Sequence, residues 1–206
     1  KNLYNEELVI DNNYEDLNDL SKFLDKNFYK IEKLVGSFIK NIILIIKNEK
    51  NLQVSISFKK KNYEGGISHK FLENNLTELK DLFKENYLDH KIMHMVIINY
   101  IVDEKKYSLL DSSISGEYLG LEVNFIAIEN SLVFALDKVL EKYQTQVSQY
   151  MCGDYVKNFF REDEDNSELS GMASKIKDGF NTNEVILVPK NIENKGFFEK
   201  FFQLFS

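Results

Sequence analysis

Two stretches in the middle of the chain carry the clearest pattern of apolar and polar positions. Residues 91–103 are apolar at both odd and even positions, which is typical of a strand covered on both faces. In residues 114–128, apolar side chains alternate with Gly120, Glu122 and Asn124, which is typical of a strand with one buried face. We therefore predict that 91–102 is an interior strand paired with 120–128. The two predicted faces of the first strand are Ile92, Val96, Ile98, Tyr100 and Val102, and Met93, Met95, Ile97 and Ile101.

Strands and helices are predicted to alternate along the rest of the chain. The helices follow from apolar residues at steps of three and four, and the strands from short alternating or continuous apolar runs. Lys59-Lys60-Lys61 is predicted to be a solvated turn. The predicted strands are 7–11, 38–46, 52–58, 67–72 and 147–152, and the predicted helices are 13–35, 76–87 with Asn75 as its cap, 131–143 with Asn130 as its cap, and 155–160.

This order of elements indicates an α+β fold in which helices pack on one face of a mixed, mostly antiparallel sheet. The acidic stretch 161–166 interrupts the pattern and is typical of a linker. Three parts are expected: a folded domain over residues 1–160, a flexible linker over 161–195 with a short strand at 185–189, and a terminal amphipathic helix over 196–206.

Composition excludes some classes of function. The formal net charge of −7 argues against nucleic acid as a partner, because such a partner requires a basic face. Cys152 is the single cysteine, which rules out an internal disulfide and fits a reducing cytoplasm. The polar start of the sequence does not resemble a signal peptide, and no apolar run reaches the roughly 20 residues of a membrane span.

Few residues are candidates for catalysis or for binding a cofactor. No glycine-rich phosphate loop is present, and Asp178-Gly179 is interpreted as a plain turn. His90 and His94 are four residues apart in a predicted strand, so His94 is interpreted as a sheet residue with a satisfied hydrogen bond rather than a metal ligand. Cys152 is interpreted as a small buried apolar residue. We therefore expect no catalytic site, no cofactor and no metal, and hence no enzyme.

The segment 196–206 (below, the Phe-rich segment) carries a different pattern. Its phenylalanines recur at helical spacing and would lie on one helix face, with Glu199, Lys200 and Gln203 opposite. Such a helix is expected to lie in a membrane interface, and the alternative is a helix docked on its own domain. The predicted membrane-binding residues are Phe197, Phe198, Phe201, Phe202, Phe205 and Lys200.

The segments KIMHMVIINYIVDEKK and ISGEYLGLEVNFIAI resemble the centre of the FtsA family of bacterial cell division proteins. In that family the corresponding strands belong to the SHS2 subdomain, also called 1C, and the resemblance covers roughly residues 7–160. FtsA proteins also end in an amphipathic membrane-targeting helix after a variable linker. Residues 169–192, within the expected linker, resemble the end of the family's actin-like ATPase half and would be a remnant of it. The rest of that fold has no counterpart here, so the resemblance implies a reduced, non-enzymatic protein.

The resemblance implies a peripheral membrane adaptor in cell division, on the cytoplasmic face of the cell membrane. Expected partners are other FtsA-like subunits, divisome proteins and the membrane surface. FtsZ binds a part of FtsA that is not recognisable in this chain, so the resemblance leaves open whether this protein binds FtsZ directly. The alternatives are a PilM-like pilus assembly adaptor, which shares the SHS2 insertion, a truncated inactive relic, and a membrane-associated hydrolase whose site would be a cluster of titratable side chains.

Overall fold

The structure, a computed structural model, describes residues 17–47, 50–63, 66–111, 114–160 and 168–185. The chain divides into two compact units, so the expected domain over residues 1–160 is distributed over both. The first unit comprises Lys1–Leu44 and Glu129–Tyr150, and the second comprises Ile45–Ile128 and Met151–Ser206. In chain order the elements are α1 (Asn18–Val35), β1 (Asn41–Ile46), β2 (Leu52–Lys61), α2 (His69–Asn86), β3 (His90–Val102), β4 (Lys105–Tyr107), β5 (Tyr118–Glu129), α3 (Asn130–Glu141), β6 (Gln146–Cys152), α4 (Gly153–Phe159) and α5 (Leu169–Lys177).

A four-stranded sheet in the order β2-β5-β3-β4 forms the frame of the second unit. The sheet is mostly antiparallel, and the α+β class predicted from the sequence is confirmed. β3 lies between β5 and β4, which confirms the predicted interior strand and its pairing. β2 pairs with β5 along its whole length, from Leu52 opposite Ala127 to Lys61 opposite Tyr118. Lys59-Lys60-Lys61 therefore belong to a strand, and the predicted turn at these residues is wrong.

The two faces predicted for β3 are not kept apart in the structure. Met95, Ile97, Tyr100 and Val102 all lie in one buried cluster, although 97 and 100 differ in parity. Ile92 also packs against this cluster, although it differs in parity from Met95 and Ile97. Ile98 is 48% exposed at this point. A period-two pattern on a strand that is apolar on both sides gives no sign of such a shift.

One face of this sheet packs against α2, whose start differs from the prediction. Ser68 is the N-cap, and its side chain accepts a hydrogen bond from the Phe71 backbone N–H. Asn75 lies inside the helix, where its side-chain amide donates to the Phe71 carbonyl at 2.6 Å. The predicted cap at Asn75 and the predicted strand 67–72 are therefore wrong. On this helix Leu72, Leu76, Leu79 and Phe83 are buried, while Leu82 is exposed.

The first unit holds α1, α3 and most of the parallel pair β1-β6. α1 ends at Gly36, as predicted, in the left-handed conformation with φ 74°. Its Phe28 ring stacks on Tyr143 at 4.7 Å between centroids. α3 begins after Glu129 as N-cap rather than at the predicted cap Asn130.

The stretch expected to be a linker contains α5 and a short segment that pairs with β3. α5 packs against α4 through buried Ala173 and Ile176, which supply the apolar stripe of a short helix. The predicted strand 7–11, the acidic stretch 161–166, the Phe-rich segment and all of 185–189 except Val185 lie outside the described residues.

Candidate functional site

A buried group of polar side chains lies in the second unit, where β3 meets the segment before Val185. At its centre is His94 on β3, whose Nδ1 lies 2.6 Å from a carboxylate oxygen of Glu184. The side chain of His94 is 0% exposed and that of Glu184 is 8% exposed. Buried charged and polar groups are stable only where their hydrogen bonds are satisfied, so the partners of both residues decide what the group can do.

The protonation state of the imidazole follows from its second nitrogen. The backbone N–H of Cys152 donates a hydrogen bond to Nε2 of His94 at 2.8 Å. A backbone amide can only donate, so Nε2 has to be the unprotonated nitrogen. The proton of the neutral ring is then on Nδ1, and Nδ1–H donates to the Glu184 carboxylate. His94 thus joins the end of β6 to Glu184 across the interior of the second unit.

The second oxygen of Glu184 is also occupied. The hydroxyl of Tyr155, on α4, donates to it at 2.8 Å, and the side-chain amide of Asn181 donates to the same hydroxyl at 2.7 Å. The Tyr155 ring lies against the imidazole, with 4.2 Å between ring centroids. Burial, followed by the neighbouring Glu184 charge, raises the pKa of Tyr155 well above its usual range. Tyr155 therefore stays a hydroxyl donor at any physiological pH.

Backbone hydrogen bonds also attach residues 183–185, which include Glu184, to the sheet. The Ile97 N–H donates to the Asn183 carbonyl at 2.9 Å, and the Val185 N–H donates to the Met95 carbonyl at 2.8 Å. Glu184 stands opposite Val96 in an antiparallel bridge. We call residues 181–185 the anchored segment, because main-chain pairing and the buried carboxylate both hold it on β3.

This arrangement resembles part of a catalytic dyad but lacks its reactive end. A carboxylate that orients the Nδ1–H of a histidine leaves Nε2 to act as a base in hydrolases. In this site the Cys152 backbone amide occupies Nε2, and both residues are buried. The Cys152 thiol is also buried, and it packs as a small apolar group. Its sulfur accepts one weak hydrogen bond, from the Asn51 side-chain amide at 3.4 Å. The geometry serves to join elements rather than to transfer protons.

The other residues considered in the sequence are not brought to this group. His90 lies four positions from His94 on the same strand, which separates them by about 13 Å. Its ring packs edge-on against Tyr87. Asp178 and Gly179 form the turn that ends α5, with Gly179 at φ 85°. Among the described residues, no cluster of His, Cys, Asp or Glu has the arrangement of a metal site.

A group of aromatic rings, the aromatic cluster (Phe159 and Phe160, both half-buried, and the exposed Phe180), lies close to the buried network. Phe160 stacks on Phe180 at 5.6 Å, and Phe159 meets Phe180 edge-on at 6.2 Å. The Lys175 ammonium lies 5.4 Å from the Phe160 ring centroid. Phe159 is also 6.4 Å from the Tyr155 ring, so the cluster continues from the network toward solvent. Phe180 is 63% exposed.

The sequence identified His94 and Cys152 in this region, and their interpretations as a satisfied sheet residue and a small buried residue agree with the structure. Glu184, Tyr155 and Asn181 carried no local signal, because each lies in an otherwise ordinary polar stretch. The predicted membrane-binding residues lie outside the described residues. In the part of the chain that the structure describes, no helix is both long and apolar enough to cross a bilayer. No protein-family model matches the sequence, and no curated protein matches it significantly.

Proposed function

We propose that this protein is an FtsA-like, non-enzymatic adaptor that binds the cytoplasmic face of the cell membrane peripherally. In this proposal the Phe-rich segment inserts its rings into the membrane interface. The folded units contact other copies of the chain and division proteins. The resemblance of 91–128 to FtsA is the basis for the partners.

The anchored segment is the observation that best supports this role. Residues 183–185 are hydrogen-bonded to β3, and Glu184 is held by His94 and Tyr155. The chain that leads to the Phe-rich segment therefore leaves the second unit from a fixed point. A membrane-bound helix attached at such a point would hold the folded unit at the bilayer, which is what an adaptor requires.

The expected affinity for the membrane follows from the burial of the phenylalanine rings in the membrane interface. Fully burying one phenylalanine contributes about 1.5–3 kcal/mol, so five partly buried rings supply several kcal/mol. Ordering the helix opposes this gain. Reversible binding is expected, and it becomes stronger when several chains assemble side by side.

Co-sedimentation with vesicles of phosphatidylethanolamine and phosphatidylglycerol tests the proposal. The parent chain should pellet with the vesicles, and a variant with Phe198→Glu, Phe201→Glu and Phe202→Glu should stay in the supernatant. Lys200→Glu, a change on the polar face, serves as the control and should reduce binding less than the triple change. A folded triple variant that pellets as well as the parent contradicts the proposal, and so does a triple variant that unfolds.

A further inference from the structure

We propose that the aromatic cluster binds the Phe-rich segment of the same chain, so that membrane binding competes with an intramolecular contact. This inference rests on the proposed function, because it specifies how the membrane-binding segment is regulated. Its occupant is one named segment, residues 196–206, which follows the cluster in the chain.

The cluster offers a suitable aromatic surface. Phe180 follows directly on the turn that ends α5, and its backbone N–H donates to the Lys175 carbonyl at 3.0 Å. This bond fixes the position of the ring relative to α5. Phe159 and Phe160 support one side of the ring, whereas most of its remaining surface faces solvent. Additional aromatic side chains can pair with such a ring by stacking or edge-on contact.

The attachment point of the Phe-rich segment lies beside this surface. The Glu184 carboxylate, at the end of the anchored segment, accepts a hydrogen bond from the Tyr155 hydroxyl. Phe159 of the aromatic cluster lies one helical turn after Tyr155 on α4. Residues 186–196 separate Val185 from Phe197, and at about 3.3 Å per residue they can reach roughly 35 Å. The Phe-rich segment is thus tethered close enough to return to the cluster.

Tethering makes even weak binding effective. A short flexible connection gives an effective concentration in the millimolar range. A contact with a dissociation constant of about 1 mM would then be occupied in a large fraction of molecules. The apparent affinity for membranes falls by the fraction of molecules in which the segment is free, so loss of the docking contact should strengthen membrane binding.

Vesicle binding by the full chain tests the competition. Phe180→Ser removes the most exposed ring of the cluster, and Phe134→Ser is the control because Phe134 is a comparably exposed ring, at 71%, in the first unit. Phe180→Ser should lower the apparent dissociation constant for the vesicles by about twofold, because a contact occupied in about half of the molecules leaves the segment free in the other half. Phe134→Ser should bind like the parent. Equal or weaker binding by Phe180→Ser overturns the inference, and weaker binding would mean that Phe180 contacts the membrane.

A cross-linking measurement on the full chain separates the two proposals. The photoreactive analogue benzoylphenylalanine at position 180 should cross-link within one chain to residues 196–206, and vesicles should suppress the product. The absence of this product, or cross-links only between chains, overturns the docking inference while vesicle binding by the parent still supports the proposed function. If no variant binds vesicles but the intramolecular cross-link forms, docking is supported and the membrane role is refuted.

Discussion

Replacing Glu184 by alanine removes the acceptor that holds the anchored segment in the second unit. In the parent, the carboxylate accepts from Nδ1–H of His94 at 2.6 Å and from the Tyr155 hydroxyl at 2.8 Å. The substitution leaves the buried imidazole N–H and the half-buried Tyr155 hydroxyl without this partner. Each unsatisfied buried group costs about 1–3 kcal/mol, so we expect the segment to become less stable by about 2–6 kcal/mol.

Amide hydrogen exchange measures this local effect directly. The Val185 amide is hydrogen-bonded to the Met95 carbonyl, so it exchanges only when the segment opens. A loss of 2 kcal/mol or more corresponds to at least a roughly 30-fold faster exchange at Val185. Glu122→Ala is the control, because Glu122 bonds to Lys106 and Asn99 at the sheet surface. Such partly exposed pairs contribute about 1 kcal/mol or less, so the Val185 amide should exchange as in the parent.

The reasoning is refuted if exchange at Val185 in Glu184→Ala stays within a few-fold of the parent. In that case the backbone pairing alone would hold the segment. The buried carboxylate would then not explain the fixed attachment point on which the proposed function rests.

Four further substitutions test the stability of the fold. Tyr100→Phe removes a buried hydroxyl without a partner and should leave the urea midpoint unchanged or raise it. Tyr150→Phe removes a hydroxyl bonded to Asp137 and should lower the midpoint; the opposite order would contradict both expectations. Glu104→Gly relieves a positive φ of 73° in the β3–β4 turn and should stabilise by about 0.5–1 kcal/mol, so a lower melting temperature would count against it. The hydrogen bond from Lys142 holds the pKa of Asp25 below 3.8, so its stabilisation is present above pH 3.8 and is lost as the pH falls through the lower folded value. Acid titrations of the parent and Asp25→Asn should then converge at low pH, and constant separation would refute this.

Local pattern was sufficient to predict the central strand pair and the end of α1. The interior position of β3 followed from apolar residues at both parities, whereas the one-sided burial predicted for β5 is wrong at its end, where Ile126, Ala127 and Ile128 are all buried. The Gly36 end of α1 likewise followed from the conformational freedom of glycine. These signals succeed because side-chain direction repeats every two residues in a strand, and because a helix ends where a left-handed residue is tolerated.

Boundaries and short elements were less predictable. Ser68 and Asn75 are both good capping residues, and only the packing of the first turn of α2 decides which one caps it. Lys59-Lys60-Lys61 have the composition of a turn, yet they lie in a strand because β5 continues opposite them. α5 was missed because Ala173 and Ile176 form a stripe too short to stand out from a polar background.

The sequence by itself determined the α+β class, the central strand pair and the presence of a Phe-rich helical pattern, because each is encoded in neighbouring residues. Only the tertiary structure decided the polar network, since His94 and Glu184 are 90 residues apart in the chain. A periodic pattern of apolar residues shows which residues share a face of one strand or helix. It cannot show that a carboxylate on a later segment pairs with a histidine on an interior strand. The change of face in β3 and the grouping of Phe159, Phe160 and Phe180 depend on the same kind of contact, in which distant segments meet through packing.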